Sequence, residues 1–327
     1  MILLITNKAD ITTDFIVNGL NKKGCEYYRF NTEDVGSRAY VNLDLSRDKY
    51  ILWDSIKKRE IDLPKIKSVY FRRPKLPSIE EKGMSPGELK FTQGEHYYTL
   101  EGIYKILADK YWINDIYAIR EAENKVFQLR LAKQIGFEIP ESIITSIPEK
   151  ASRFIDFHEE CIVKPLKTGL IEDTNSQKYI FTTQLTKNDI FPLERIKYCP
   201  TLIQRKIDKA YDIRVTVVGD KIFPARINSQ VYEETKVDWR RGDRIDLRYD
   251  ILELHRSINE MCILLTKSLK LHFSAIDLVM DNNGKIFFLE INPNGQWAWI
   301  EKRLGYDISG EIINLLKMGG HEDTKNC

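Results

Sequence analysis

Apolar runs and polar breaks in the first third of the chain alternate in the manner of an α/β lobe. Ile2–Thr6 (ILLIT) is an unbroken apolar run of strand length, which predicts a buried strand. Ile11–Lys22 carries apolar positions at helical spacing and runs into Gly24, a helix stop. Tyr27–Phe30, Tyr50–Trp53 and Val69–Phe71 predict further strands, and Glu88–Trp112 has the spacing of a helix packed on the sheet. The first strand-to-helix loop, Thr6-Asn7-Lys8-Ala9-Asp10, holds no glycine. It therefore lacks the tight, backbone-exposed phosphate cradle of a dinucleotide-binding fingerprint, and a nucleotide would bind elsewhere.

Further along, Glu121–Ile135 predicts a helix with Val126, Leu129, Ala132 and Ile135 on one face and Gly136 as its stop. Short strands follow at Ser142–Thr145, Cys161–Lys164 and Lys178–Thr182. The polar loop Leu166–Gln177, with Lys167, Thr168 and Gly169, could close over a ligand. Thr201–Arg205, Arg214–Val218 and Phe223–Arg226 predict three more strands. A polar stretch (Tyr232–Arg248), a helix (Ile251–Leu269) and a closing helix (Ser309–Leu316) complete the pattern.

Ser274–Trp297 is the most informative stretch. Asn283-Gly284 suits a two-residue type I′ turn, since both positions tolerate positive φ. That turn pairs Asn282 with Lys285 and sets Asp277 opposite Glu290, with Asn292 on the same face as Glu290. Phe287, Leu289, Ile291, Ile276 and Leu278 then point to a core. Two acids and an amide oxygen on one surface are hard ligands suited to Mg²⁺. The alternative, two solvated acids on a surface hairpin, fits poorly with the apolar runs that Asp277 and Glu290 interrupt.

Composition changes this picture little. The 327 residues are 43% hydrophobic and 30% charged, ordinary for a globular chain with room for two or three lobes. A net charge of +2 gives no global case for nucleic acid or membrane binding. Cys25, Cys161, Cys199, Cys262 and Cys327 are dispersed, without a CxxC pair, as expected of reduced cytoplasmic thiols. The opening MILLITNKAD does not read as a signal peptide, and no apolar run reaches the ~18 residues of a membrane helix. The five histidines show no metal spacing, and no Ser-His-Asp arrangement stands out.

Cations at strand ends carry the remaining signal. Ile162-Val163-Lys164-Pro165 delivers a lysine at the end of an apolar strand, and Lys125 sits just inside a helix; both could hold phosphate. For Lys125 alone, a solvated helix lysine is the simpler account. Backbone around Gln204-Arg205-Lys206-Ile207 could meet an adenine edge, with Asp208 left for a ribose. Asp212 and Arg214 share a strand face, Arg226 ends the next strand, and Arg72-Arg73 ends one in the first lobe. Each arginine is otherwise a surface ion pair. Asp238-Trp239-Arg240-Arg241 reads as a charged loop, except that a loop tryptophan usually contacts something.

In order and spacing, Lys125, IVKP with Lys164, LIQRKI, DIRV with Arg214, and DLVM…FLEINPNG resemble the ATP-grasp ligases over roughly residues 120–317. The resemblance implies an ATP-grasp fold, α/β and α+β. A pre-ATP-grasp domain would occupy 1–120, a central lid lobe 121–200, and a C-terminal lobe with the metal site 201–327. It also implies ATP on Lys125, Lys164, Gln204, Lys206, Ile207 and Asp208, and Mg²⁺ on Asp277, Glu290 and Asn292. The opening residues, the YFRRP strand end (Tyr70–Pro74), and DWR followed by EINPNGQWAWIE are similar to the graspetide maturases, the microviridin-type and grasp-with-spasm ligases. The loop at 166–177 departs from the glycine-rich family pattern.

The graspetide resemblance implies a macrocyclase. Glu or Asp side chains of a ribosomally made precursor become acyl phosphates that Thr or Ser hydroxyls, or Lys amines, attack to give ω-esters or ω-amides. Arg214, Arg226 and Arg240 would be catalytic, and Arg72, Arg73, Asp238 and Arg240 would bind substrate. The partner is a precursor peptide with a leader and a Thr/Glu-rich core, with homodimerisation left open. Two other readings stand beside this one: an ATP-grasp peptide-bond ligase of the glutamate-adding or glutathione-synthetase type, and a nucleotide-binding protein without turnover.

Overall fold

In the computed structural model residues 1–77, 83–167, 170–173, 176–186, 193–242 and 247–319 are described, and the chain divides into two compact units. The first holds a four-stranded parallel sheet in the order Tyr27–Asn31, Ile2–Thr6, Ser68–Phe71, Tyr111–Ile113. Leu3, Leu4 and Ile5 are fully buried, as an apolar strand in the middle of a parallel sheet requires. The helix Ile11–Lys22 follows, its first turn capped by the Asp10 carboxylate, which accepts from Thr12 N–H.

Two features of this unit differ from expectation. Tyr50–Trp53 belongs not to the parallel sheet but to a separate antiparallel one, Ala39–Asp44, Lys49–Asp54 and Arg59–Asp62. The long helix runs Pro86–Ile106, opened by a reciprocal Ser85–Glu88 cap, and stops short of Trp112. Tyr111–Ile113 is instead a parallel strand beside Ser68–Phe71. Tyr104 and Trp112 do face one another, edge to face at 6.2 Å. They meet by tertiary packing and not as neighbours on one helix. A helix not anticipated, Ala298–Leu304, follows the hairpin, and Ile308–Met318 packs on Ile11–Lys22 within this unit.

The second unit contains two larger antiparallel sheets besides a two-stranded one. One has the order Thr183–Thr186, Glu160–Lys164, Thr201–Arg205, Ser142–Thr145. The other has the order Tyr249–Ile251, Lys221–Ile227, Lys209–Val218, Phe273–Asp281, Ile286–Asn292. Its core face, with Ile213, Val215, Ile276, Leu278, Phe288 and Ile291, packs on Leu129 and Ala132 from Lys125–Ile135 and on Cys262 and Leu265 from Arg256–Ser268. The Lys125 helix starts later than its periodicity predicts. Asn124 caps it by accepting from Phe127 N–H, which makes Lys125 its first residue, while Ile116–Ala122 is a separate turn of helix. Gly136 ends it at φ +111°.

The strand expected at 178–182 is split into Ser176–Tyr179 and Thr183–Thr186. The expected loop 166–177 contains a strand, Leu170–Asp173, paired with Ser176–Tyr179; Thr168 and Gly169 lie outside the described residues.

The hairpin reaches its expected pairing by another route. The loop is three residues, Asn282-Asn283-Gly284, closed by Asp281 N–H to Lys285 O, and Gly284 alone of the three has positive φ (+81°). Such a loop shifts the register by one residue and by itself would set Asp277 opposite Leu289. A β-bulge between the Asp277 and Leu278 pairings restores the opposition of Asp277 and Glu290. The same bulge overturns the expectation that Leu289 and Phe287 face the core. Phe288 takes that place, and Leu289 turns toward the cleft.

Candidate functional site

Within the second unit the two sheets and the segment 236–240 enclose a cavity of about 490 Å³. That volume lies in the range of small-ligand sites. Lys125, Lys164, Gln204, Lys206, Ile207, Asp238, Arg240, Asp277, Glu290 and Asn292 all line it. Lys164 and Gln204 lie at the ends of adjacent strands of one sheet with Lys206 just beyond, and Asp277, Glu290 and Asn292 come from the last two strands of the other.

On the first sheet, Lys164 Nζ donates to Gln204 Oε1 at 3.1 Å, and Gln204 Nε2 donates to Ser142 Oγ at 2.8 Å. Burial pushes the Lys164 ammonium down to about 8, with Lys125 and Arg240 adding to the fall and Glu290 opposing it. Lys125 Nζ donates to Pro165 O at 2.8 Å and sits 3.4 Å from Glu290. Lys206 is tied to the neighbouring strand, Nζ to Glu160 at 3.0 Å and N–H to Glu160 O.

On the second sheet, Arg214 lies directly across the ladder from Asp277 and holds it with Nε–Oδ1 at 2.7 Å and Nη2–Oδ2 at 3.1 Å. The Trp239 ring lies 5.4 Å from that guanidinium. Arg240 grips Asp238 in the same bidentate manner, at 2.8 and 2.9 Å, and reaches Glu290 with Nη1 at 3.5 Å. Burial acts to raise the carboxyls of Asp238 and Glu290, but the surrounding cations win. Arg240 holds Asp238 below its usual range, and Lys125, Arg240 and Lys164 hold Glu290 below its own. Asp277 goes the other way, raised by burial and by Glu290 against the pull of Arg214. Neighbouring carboxylates with opposed environments suit a site that handles both cations and polyanions.

Other sequence candidates lie elsewhere. Arg226 stands opposite Ile213 on the helix-covered face of the sheet, its guanidinium 4.1 Å over the Tyr211 ring, outside the cavity lining. Asp208 is exposed and accepts from Asn282 Nδ2 at 2.9 Å. In the first unit Arg72 is buried, its Nε 3.1 Å from Asp10 Oδ2 and its Nη2 3.1 Å from Gln296 Oε1. Arg73 is exposed at φ +46°.

Sequence reasoning missed several lining residues: Gln128, Lys209, Val279 and Leu289. Lys209 holds Asp212 at 2.7 Å, a pairing that a bulge in its strand makes possible and no periodicity announces. Gln128 did leave a signal, a polar residue one turn after Lys125 on the apolar face that continues through Ala132.

Asp277, Glu290 and Asn292 satisfy the donor requirements of Mg²⁺. A carboxylate held by an arginine keeps further lone pairs, and Asn292 Oδ1, which accepts from Asn294 N–H at 2.9 Å, has a second. Among the described residues no three His, Cys, Asp or Glu side chains form a metal cluster.

The family model of the RimK-like ATP-grasp domain matches residues 122–316, well over half of the chain. The chain belongs to this ATP-grasp family. The model of the MvdD pre-ATP-grasp domain matches residues 1–120, so the ATP-grasp domain follows a pre-ATP-grasp domain, as the resemblance in the sequence implied. Among solved structures, the chain is similar to a Chryseobacterium gregarium RiPP-associated ATP-grasp ligase in complex with ADP and a leader and core peptide. That match has 28% identity, 96% of each chain and a TM-score of 0.89. It is also similar to the macrocyclase MdnC of Microcystis aeruginosa MRC, bound with precursor peptide MdnA, at 26% identity over 96% of this chain and 98% of that one, TM-score 0.84. The ribosomal protein bS6–L-glutamate ligase of Escherichia coli is 24% identical over 220 residues, 66% of this ATP-grasp chain and 70% of the relative. Among the described residues, no helix is long and apolar enough to cross a membrane.

Proposed function

We propose that this ATP-grasp protein is an ATP-dependent macrocyclase of a ribosomally made precursor peptide. It would convert Glu or Asp side chains to acyl phosphates that Thr or Ser hydroxyls, or Lys amines, attack to close ω-ester or ω-amide rings. The observation that carries the reading is the convergence of Lys125, Lys164, Arg240, Asp277, Glu290 and Asn292 on one cavity, in a chain alike over 96% of its length to ligases solved with leader, core or precursor peptides.

Carboxyl activation by phosphoryl transfer needs positioning and charge neutralisation, not a protein nucleophile. Lys125 and Lys164 supply cations for the phosphates, and the backbone at Lys206-Ile207 borders the space for the base. Mg²⁺, when held by Asp277, Glu290 and Asn292, supplies charge neutralisation at the phosphate oxygens. Arg214 aims Asp277 through two parallel hydrogen bonds and opposes the rise that burial gives its carboxyl. Arg240 spends its Nε edge on Asp238 and reaches Glu290 with Nη1, so a substrate carboxylate would share that second edge with Glu290. Arg73, exposed at its strand end, remains a reserve contact for the peptide, whereas Arg72 is buried on Asp10 and Gln296.

The second reading, glutamate addition, draws on the bS6 ligase, whose likeness spans two thirds of the chain against nearly all of it for the peptide-bound structures. Mass spectrometry of a Thr/Glu-rich precursor incubated with protein, ATP and Mg²⁺ tests both. Loss of one water per ring is expected. Gain of glutamate residues would replace the proposal with ligation, and absence of ADP would reduce the chain to a binding protein.

A further inference from the structure

We propose that Gln128 is a positioning residue for the metal ligands, an inference that rests on the metal reading above. Ile286–Asn292 is the edge strand of its sheet, so every second residue turns its N–H and C=O away from the ladder. Ile291, between Glu290 and Asn292, is such a residue. Its outward groups are met by one side chain: Gln128 Oε1 accepts from Ile291 N–H at 3.2 Å, and Gln128 Nε2 donates to Ile291 O at 2.8 Å. The carboxamide thus stands in for a further strand at the one place where both flanking side chains are candidate ligands.

Three facts make this more than ordinary packing. Gln128 is only 3% exposed and its amide is fully used, the second Nε2 hydrogen going to Ala122 O at 2.5 Å. A carboxamide can replace both backbone partners, because it offers a donor and an acceptor side by side. Lys125, one turn earlier on the same helix, sits 3.4 Å from the Glu290 carboxylate. One helix therefore fixes the Glu290 side chain and the backbone behind it. The need is greatest here, because the bulge at Leu289 interrupts the ladder immediately before Glu290. Without Gln128 the edge backbone is free to twist, and Glu290 and Asn292 turn with it.

The test is calorimetric titration of Mg²⁺ into the whole protein saturated with ADP. Gln128→Met keeps the length and volume and removes all three hydrogen bonds, the two to Ile291 and the one to Ala122 O. It should weaken Mg²⁺ by about 10- to 100-fold, the usual cost of losing a group that orients a ligand, while ADP affinity in EDTA is unchanged. Ile291 amide exchange should quicken in the same variant and that of Val215, in the sheet centre, should not. Gln128→Asn keeps the amide one methylene short and carries the same test if the apolar variant fails to fold. Wild-type Mg²⁺ affinity in either folded variant, alongside loss in Asp277→Asn, overturns the role of Gln128. No loss even in Asp277→Asn overturns the metal reading itself, and this inference with it.

Discussion

Arg214 and Asp277 face each other across adjacent strands and share two parallel hydrogen bonds, both groups less than a tenth exposed. A residue offered as a metal ligand is therefore also half of a buried ion pair. Asp277→Asn should cut turnover by ~10²-fold or more, the scale of losing one preorganised electrostatic contact. It should also destabilise the fold by up to about 3–5 kcal/mol, because Arg214 is left buried without its partner. Glu290→Gln, on a carboxylate shared by three cations, should lose activity with less effect on stability. Denaturation curves beside ADP release check both; wild-type turnover in both variants would sink the metal assignment.

With Lys164 on the phosphates, as proposed, ATP binding should depend on pH. The lysine's ammonium is pushed down to about 8, and a polyphosphate binds the protonated form. ATP affinity should be full below pH 8 and fall as pH rises through that value, with proton uptake on binding. Lys164→Ala should be weaker throughout and flat across pH 7–9. An unchanged slope in Lys164→Ala assigns the titration to another group.

Arg240→Lys should abolish cyclisation while Mg·ATP binding persists. Lysine cannot grip Asp238 along one edge and offer a second edge to a substrate acid. Product mass on a Thr/Glu-rich precursor, alongside ATP titration, decides; full cyclisation rules the role out.

Arg72 and Asp10 form a buried pair in the first unit, with Thr6 and Thr13 hydroxyls also donating to the carboxylate. Asp10→Ala should cost about 3–5 kcal/mol, since it removes the carboxylate that balances a buried guanidinium and also a helix cap. Urea titration of Asp10→Ala against Arg72→Met/Asp10→Leu separates charge from packing. A larger loss in the double variant would contradict the argument.

Gly295 follows the ligand strand, and a Cβ there would come within 2.2 Å of the Ala275 Cβ. Gly295→Ala should destabilise by about 1–3 kcal/mol, and Ala275→Gly in the same chain should recover much of it. Additive losses in thermal melts would argue against the contact.

Much of the site was legible because its residues end apolar strands. A lysine closing Ile162-Val163 and acids inside Ala275–Met280 and Ile286–Ile291 break strong patterns, and a broken pattern is visible in sequence. Asp277 against Glu290 was reached with the right partners and the wrong turn, since the bulge compensates for a loop one residue longer. What escaped had no period to betray it. Tyr111–Ile113 is too short to alternate, and the strands flanking Lys49–Asp54 are polar on one face and mixed on the other. Arg226 and Arg214 looked equivalent, both near strand ends, until register placed them on opposite faces of one sheet.

The bulge at Leu289 separates the hairpin into two parts that need not agree. Between the loop and Leu278 the strands follow the register that the turn dictates; from Asp277 inward they follow another. A one-residue deletion in Asn282–Gly284 absorbed by losing the bulge would keep Asp277 against Glu290 but would turn Phe288 from the core face to the cleft face and bring Leu289 into its place. The chemistry tolerates either register, and the core decides between them.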